Sequence, residues 1–145
     1  MLTAGFIEQA DELGEIEDLL PDAVRLAVET GDLNTARTLA GHAAALDAGS
    51  VIPHRQASAL FCSGLLDRDT TRLLAAAERY GDASRPLMRA KALEAVAAEL
   101  TRAGDPDQAR TAAAGAVKIY AWLGATVDAA RVRARSLTED ISSTA

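Results

Sequence analysis

His42 and His54 are the only histidines of this 145-residue chain, and Cys62 is its only cysteine. The side chains most used for metal binding and nucleophilic attack are therefore few. A zinc site needs several His, Cys or carboxylate ligands converging on one point, whereas these two histidines fall in different segments with no cysteine or histidine at ligand spacing. A reactive thiol needs a base or a positive charge beside it; Cys62 stands in the apolar run Ala59-Leu60-Phe61-Cys62, as a small buried hydrophobe would. Asp105 and Asp107 form a carboxylate pair by type, but they open a helix, where the helix dipole accounts for them. No Ser, His and Asp fall into a nucleophile motif. No glycine-rich loop with a Lys-Ser or Lys-Thr pair is present to cradle phosphates. The expectation is a chain without catalytic activity, metal or cofactor.

The elements that would hold any binding residue are helices. Hydrophobic residues make up 49% of the chain but aromatics only 3%, and alanine dominates the remainder; strands favour β-branched and aromatic residues instead. The clearest unit is Arg85 to Ala134. Within it Ala103-Gly104-Asp105-Pro106 stops one helix and starts another: Gly104 can take a left-handed conformation, Asp105 can cap the next helix and Pro106 suits its first turn. Upstream, Leu93, Val96, Ala97 and Leu100 share one helical face; downstream, Ala109, Ala113, Ala116, Val117 and Tyr120 do the same. Facing stripes so rich in alanine predict a close antiparallel pair.

The rest of the chain repeats this unit loosely. Leu2, Phe6, Leu13, Ile16 and Leu20 recur at helical intervals through an acidic stretch. Pro21, Pro53 and Pro86 lie 32 and 33 residues apart, and each is expected to open the first helix of a pair. Gly31-Asp32 punctuates the first pair, Leu66-Asp67-Arg68-Asp69 the second. A last helix is expected from Ala125 to about Arg135. The pattern gives about seven helices, a helical-repeat domain over residues 1–135, and a disordered tail over 136–145.

A period of 32 to 33 residues, with Gly-Asp at the turn and a small alanine (Ala36, Ala109) five positions after the glycine, resembles a tetratricopeptide repeat. The large aromatic and Leu-Gly positions of that repeat are not kept. The resemblance implies an all-α solenoid of stacked antiparallel hairpins with a concave face built by the first helix of each pair. In that register the groove side presents Arg25, Arg55, Ser58, Lys91, Glu94 and Arg102. A second resemblance covers most of the chain. Pro21-Asp22-Ala23-Val24-Arg25-Leu26-Ala27 with Gly31-Asp32, Gly64-Leu65-Leu66-Asp67-Arg68-Asp69, Arg85-Pro86-Leu87, Ala109-Arg110, and Tyr120-Ala121-Trp122-Leu123-Gly124-Ala125 with Asp128-Ala129-Ala130-Arg131 are, in their order, similar to the C-terminal helical-repeat region of large bacterial LuxR-family regulators. That likeness implies a regulatory, protein-binding role in transcription control; without the phosphate-binding loop and the DNA-reading helices of that family, the chain is expected to be an excised fragment, the alternative being a free-standing relative.

The formal net charge is −6, which argues against a nucleic-acid surface, since phosphate neutralisation needs clustered Lys and Arg. Residues 1–32 hold Glu8, Asp11, Glu12, Glu15, Glu17, Asp18, Asp22, Glu29 and Asp32 against the single base Arg25, while the last helix carries Arg131, Arg133 and Arg135. These are expected to be solvated faces, with some attraction between the chain ends. The lone cysteine and the lack of an apolar run near the 18 or so residues of a membrane span place the protein in the cytoplasm. Two functions fit these features. One is a platform for a protein partner or for homo-oligomer formation, gripping an acidic segment in the groove. The other is a sensor pocket for a small effector, lined by Tyr80, Tyr120 and Trp122.

Overall fold

The computed structural model describes residues 16–144; the expected helix through Leu2, Phe6 and Leu13 lies outside them. Seven helices follow one another: α1 (Ile16–Glu29), α2 (Leu33–Asp47), α3 (Pro53–Asp67), α4 (Thr70–Asp82), α5 (Pro86–Arg102), α6 (Pro106–Trp122) and α7 (Thr126–Thr144). There is no strand among the described residues. Each helix packs on the next, and α1 also packs on α3. The fold is all-α, a run of helical hairpins joined by short turns.

Local chemistry sets most of the turns. The side chains of Asp32, Asp69 and Asp105 accept the backbone N–H of Thr35, Arg72 and Gln108, so each satisfies a donor that the following helix leaves free. Pro53, Pro86 and Pro106 sit in the first turn of α3, α5 and α6, where a missing N–H costs nothing. Gly104 has φ +81°, the left-handed conformation that lets the chain leave α5 and enter α6.

The core runs the length of the stack. Leu20 and Val24 of α1, Ala57 and Phe61 of α3, Leu73 and Tyr80 of α4, Val96 of α5 and Ala116 and Tyr120 of α6 are buried in it. The expected stripes of α5 and α6 face inward, Leu93, Leu100 and Val117 being partly buried against the core. Phe61 and Tyr80 meet edge to face, with centroids 6.2 Å apart. Alanine lets the helix axes approach closely, so the few large side chains fill the gaps between pairs.

Two boundaries depart from the sequence pattern. Pro21 does not open a helix: it lies inside α1, fully buried. A proline within a helix leaves the carbonyl four residues earlier without its N–H donor; that carbonyl belongs to Glu17, and the Ser58 hydroxyl of α3 donates to it at 2.7 Å. A tertiary bond thus replaces the lost helical one. At the other end, α7 continues through the expected tail to Thr144. Its extra turns are tied back to the body, where Thr101 donates to Glu139 (3.1 Å) and Arg110 to Asp140 (2.7 Å).

Candidate functional site

A concave groove of about 530 Å³ runs across α1, α3, α5 and α7. Its middle wall is one face of α5, because Lys91, Glu94, Ala95, Ala98, Glu99 and Arg102 recur at intervals of three and four residues. Val28 of α1, with Phe61 and Leu65 of α3, makes an apolar floor. Arg25, Arg68, Arg131 and Arg135 rim it.

Glu94 is the electrostatic centre. Its Oε2 accepts from the Tyr120 hydroxyl and from Arg131 Nη2, each at 2.9 Å, and its Oε1 accepts from Arg131 Nε at 3.1 Å. The fork of Arg131 therefore grips both carboxylate oxygens, an arrangement roughly twice as strong as neutral hydrogen bonding. Hydrogen bonds from Arg131 to Glu94 and Asp128 push its pKa further up, so it stays charged at any accessible pH. Burial, with the Glu94 carboxylate beside it, raises the Tyr120 phenol and keeps it a donor. Arg131 thus stays a cation and Tyr120 a neutral donor toward Glu94.

The remaining cations are held more loosely. Arg68 approaches Glu99 at 3.6 Å and Arg102 approaches the same oxygen at 3.9 Å. Arg25 lies between Asp22 and Glu29, at 3.8 and 3.2 Å. All three side chains are about half exposed. Exposed pairs of this kind are worth about 0–1 kcal/mol, so an incoming carboxylate can replace the resident one. Lys91 is closer to its partner Asp22, at 2.8 Å, and bridges α5 to α1.

Of the residues expected on the groove side, Arg25, Lys91, Glu94 and Arg102 do line it. Arg55 and Ser58 do not, because the first turns of α3 lie against α1. Ser58 is buried and spent on the Glu17 carbonyl. Arg55 turns to the Glu17 carboxylate at 3.6 Å, and His54 Nε2 lies 2.9 Å from the same oxygen. Burial works against charge on Glu17, but its own backbone N–H, His54 and Arg55 outweigh this and hold its pKa below the ordinary carboxylate value. Its contribution to stability is therefore complete above that ordinary value and is lost as pH falls through the lowered one.

The three aromatics expected to line a pocket are not brought together. Tyr80 is core, Tyr120 is buried and lines the groove where its hydroxyl meets Glu94, and Trp122 is 77% exposed beside a different depression. Arg131 and Arg135 pair with Glu94 of α5; much of the acidic chain start lies outside the described residues. Burial pushes the Cys62 thiol up to about 12, so it stays protonated. Among the described residues no His, Cys, Asp and Glu side chains cluster as metal ligands would, and no helix is long and apolar enough to cross a membrane.

Register reasoning passed over Arg68 because it lies in a turn. Its backbone is the signal: φ is +53° at the C-cap of α3, the left-handed region in which Gly104 serves the equivalent turn. A side chain there costs about 1–2 kcal/mol, and strain of this kind collects where a side chain is needed. Arg68→Gly is expected to be more stable than Arg68→Ala by about 1 kcal/mol, since both remove the cation and only glycine relieves the backbone. Equal thermal midpoints for the two variants would show that the turn is unstrained.

Comparison with family models, with curated proteins and with solved structures finds no match to this chain.

Proposed function

We propose that the chain is a non-catalytic helical-repeat module that docks a protein segment in its concave groove, either from a partner or from a second copy of itself. The observation that carries this is the pairing of an apolar floor (Val28, Phe61, Leu65) with loosely held, half-exposed arginines (Arg25, Arg68, Arg102) around it. An incoming segment would place an apolar side chain on the floor and carboxylates on the arginines, as interface anchors commonly do. Together with the order of its sequence phrases, this supports a role as the regulatory region of a LuxR-type transcriptional regulator acting in the cytoplasm. The stacked hairpins then act as a tetratricopeptide-like solenoid, with contact as their only output.

The doubly reversed variant Arg68→Glu with Arg102→Glu tests the groove. Both side chains are exposed, so the fold should survive and far-ultraviolet dichroism should match the parent. Proteins retained by the immobilised parent chain, and any self-association seen by sedimentation, should weaken at least about tenfold in the variant, as charge reversal at an interface does. Equal retention by both proteins would remove the groove from consideration. The second reading is a small-effector sensor, favoured by one observation: 530 Å³ lies within the roughly 300–1,000 Å³ of ligand pockets. A metabolite that raises the thermal midpoint of the parent, and not of the variant, would choose that reading over protein docking.

A further inference from the structure

A second depression, of about 430 Å³, lies between the C-terminal end of α4, the start of α5 and the second half of α6. Its lining is one-sided in charge: Arg85, Arg89 and Lys118 contribute to it and no carboxylate does, in a chain of net charge −6. Arg85 is already bound to Asp18 at 2.6 Å. Arg89 and Lys118 are exposed and, like Arg37, Arg79 and Arg133, have no ion-pair partner among the described residues, whereas Arg25, Arg68, Arg72, Arg110 and Arg131 all have one. Between these cations stand the apolar edges of Leu93 and Ile119 and the exposed indole of Trp122.

The floor supplies an independent observation. Gly81 and Gly115 both lie inside helices and both line this depression. A helical glycine is less favourable than alanine, and around Gly115 the chain reads Ala112-Ala113-Ala114-Gly115-Ala116. A methyl at Gly115 would meet Leu93 Cδ1 at 3.4 Å, and one at Gly81 would meet the Arg89 guanidinium at 3.4 Å. Both are ordinary van der Waals distances, so neither glycine is forced by a clash; each leaves the depression deeper by one methyl beside Leu93 and Arg89. Trp and Arg together are the side chains most enriched at binding hot spots, and a cationic rim around an apolar floor is complementary to acidic, apolar segments.

We infer that this depression is a second docking surface, separate from the concave groove, which takes a partner protein's acidic segment with an aromatic or aliphatic anchor. The anchor stacks on Trp122 above Leu93 and Ile119, while flanking carboxylates pair with Arg89 and Lys118. It does not depend on the concave groove. Because Trp122 is the only tryptophan, its emission reports this surface alone.

The test titrates the full chain with the amidated peptide Glu-Asp-Phe-Glu-Asp-Leu, and separately with Lys-Lys-Phe-Lys-Lys-Leu, while recording tryptophan emission. The acidic peptide should give a saturable change. Its affinity should fall at least about tenfold in Arg89→Glu and in Lys118→Glu, whose thermal midpoints should stay near the parent's because both residues are on the surface. Arg68→Glu should leave the titration unchanged, which separates failure here from failure at the concave groove. No saturable change, equal responses to the two peptides, or loss in Arg68→Glu would overturn the inference. So would an emission shift on raising the protein concentration alone, because a second copy would then be the occupant.

Discussion

Gly64→Val is expected to destabilise the protein by about 3 kcal/mol, the upper end of the cost of overpacking, seen as a fall of roughly 9 °C in Tm. The cause is the contact between α3 and α4. A Cβ at Gly64 would lie 2.8 Å from Leu73 Cδ2, 2.9 Å from its Cγ and 3.2 Å from its backbone nitrogen. Leu73 is fully buried, so its side chain has nowhere to swing. The nitrogen behind it belongs to the first turn of α4 and donates to the Asp69 carbonyl at 3.1 Å. The added atoms must push the two helices apart at the turn that carries Arg68, so binding in the concave groove should weaken along with stability. Adding Leu73→Ala to Gly64→Val should recover part of the loss, because the side-chain clash goes and the backbone one remains. A thermal midpoint of Gly64→Val within about 2 °C of the parent, where overpacking should lower it several-fold more, would show that α3 and α4 do not approach this closely.

How far the sequence discloses this structure depends on whether a residue's partner is near it in the chain. Asp69, Asp105, Pro53, Pro86 and Gly104 act within a turn of their own position, and local capping rules place them correctly. Pro21 has the same residue type and the right spacing, yet its place in α1 depends on Ser58, far away in sequence and invisible to any local rule. The borrowed repeat register placed Arg25, Lys91, Glu94 and Arg102 on the groove, whereas Arg55 and Ser58 are taken up by Glu17 of α1, a contact that no repeat register encodes. The last turns of α7 look featureless in sequence because Glu139 and Asp140 find their partners on α5 and α6. The depression around Trp122 is assembled from α4, α5 and α6, so no local rule could show it.

Ser58→Ala is expected to cost about 2 kcal/mol, within the range for leaving a buried backbone acceptor without a partner. Ordinarily a serine hydroxyl on a helix contributes less, since helix carbonyls already have their own donors. Here Pro21 withdraws that donor from Glu17, and the site is closed to water: Pro21 and Ser58 are both almost fully buried. The hydroxyl therefore supplies, at 2.7 Å, the hydrogen bond that Pro21 withholds from this carbonyl. The same contact holds the Glu17 carboxylate against His54 and Arg55, so α1 is pinned to α3 at both its backbone and its side chain. A double-mutant cycle isolates the effect. In a Pro21→Ala background, residue 21 regains its N–H and can donate to the Glu17 carbonyl within α1, so removing the Ser58 hydroxyl should cost no more than about 1 kcal/mol. The coupling between the two positions, about 1–2 kcal/mol by urea unfolding, would then measure the exchange of a helical hydrogen bond for a tertiary one. Equal costs in the two backgrounds would mean that Pro21 and Ser58 act independently, and that α1 accommodates its internal proline by some means other than α3.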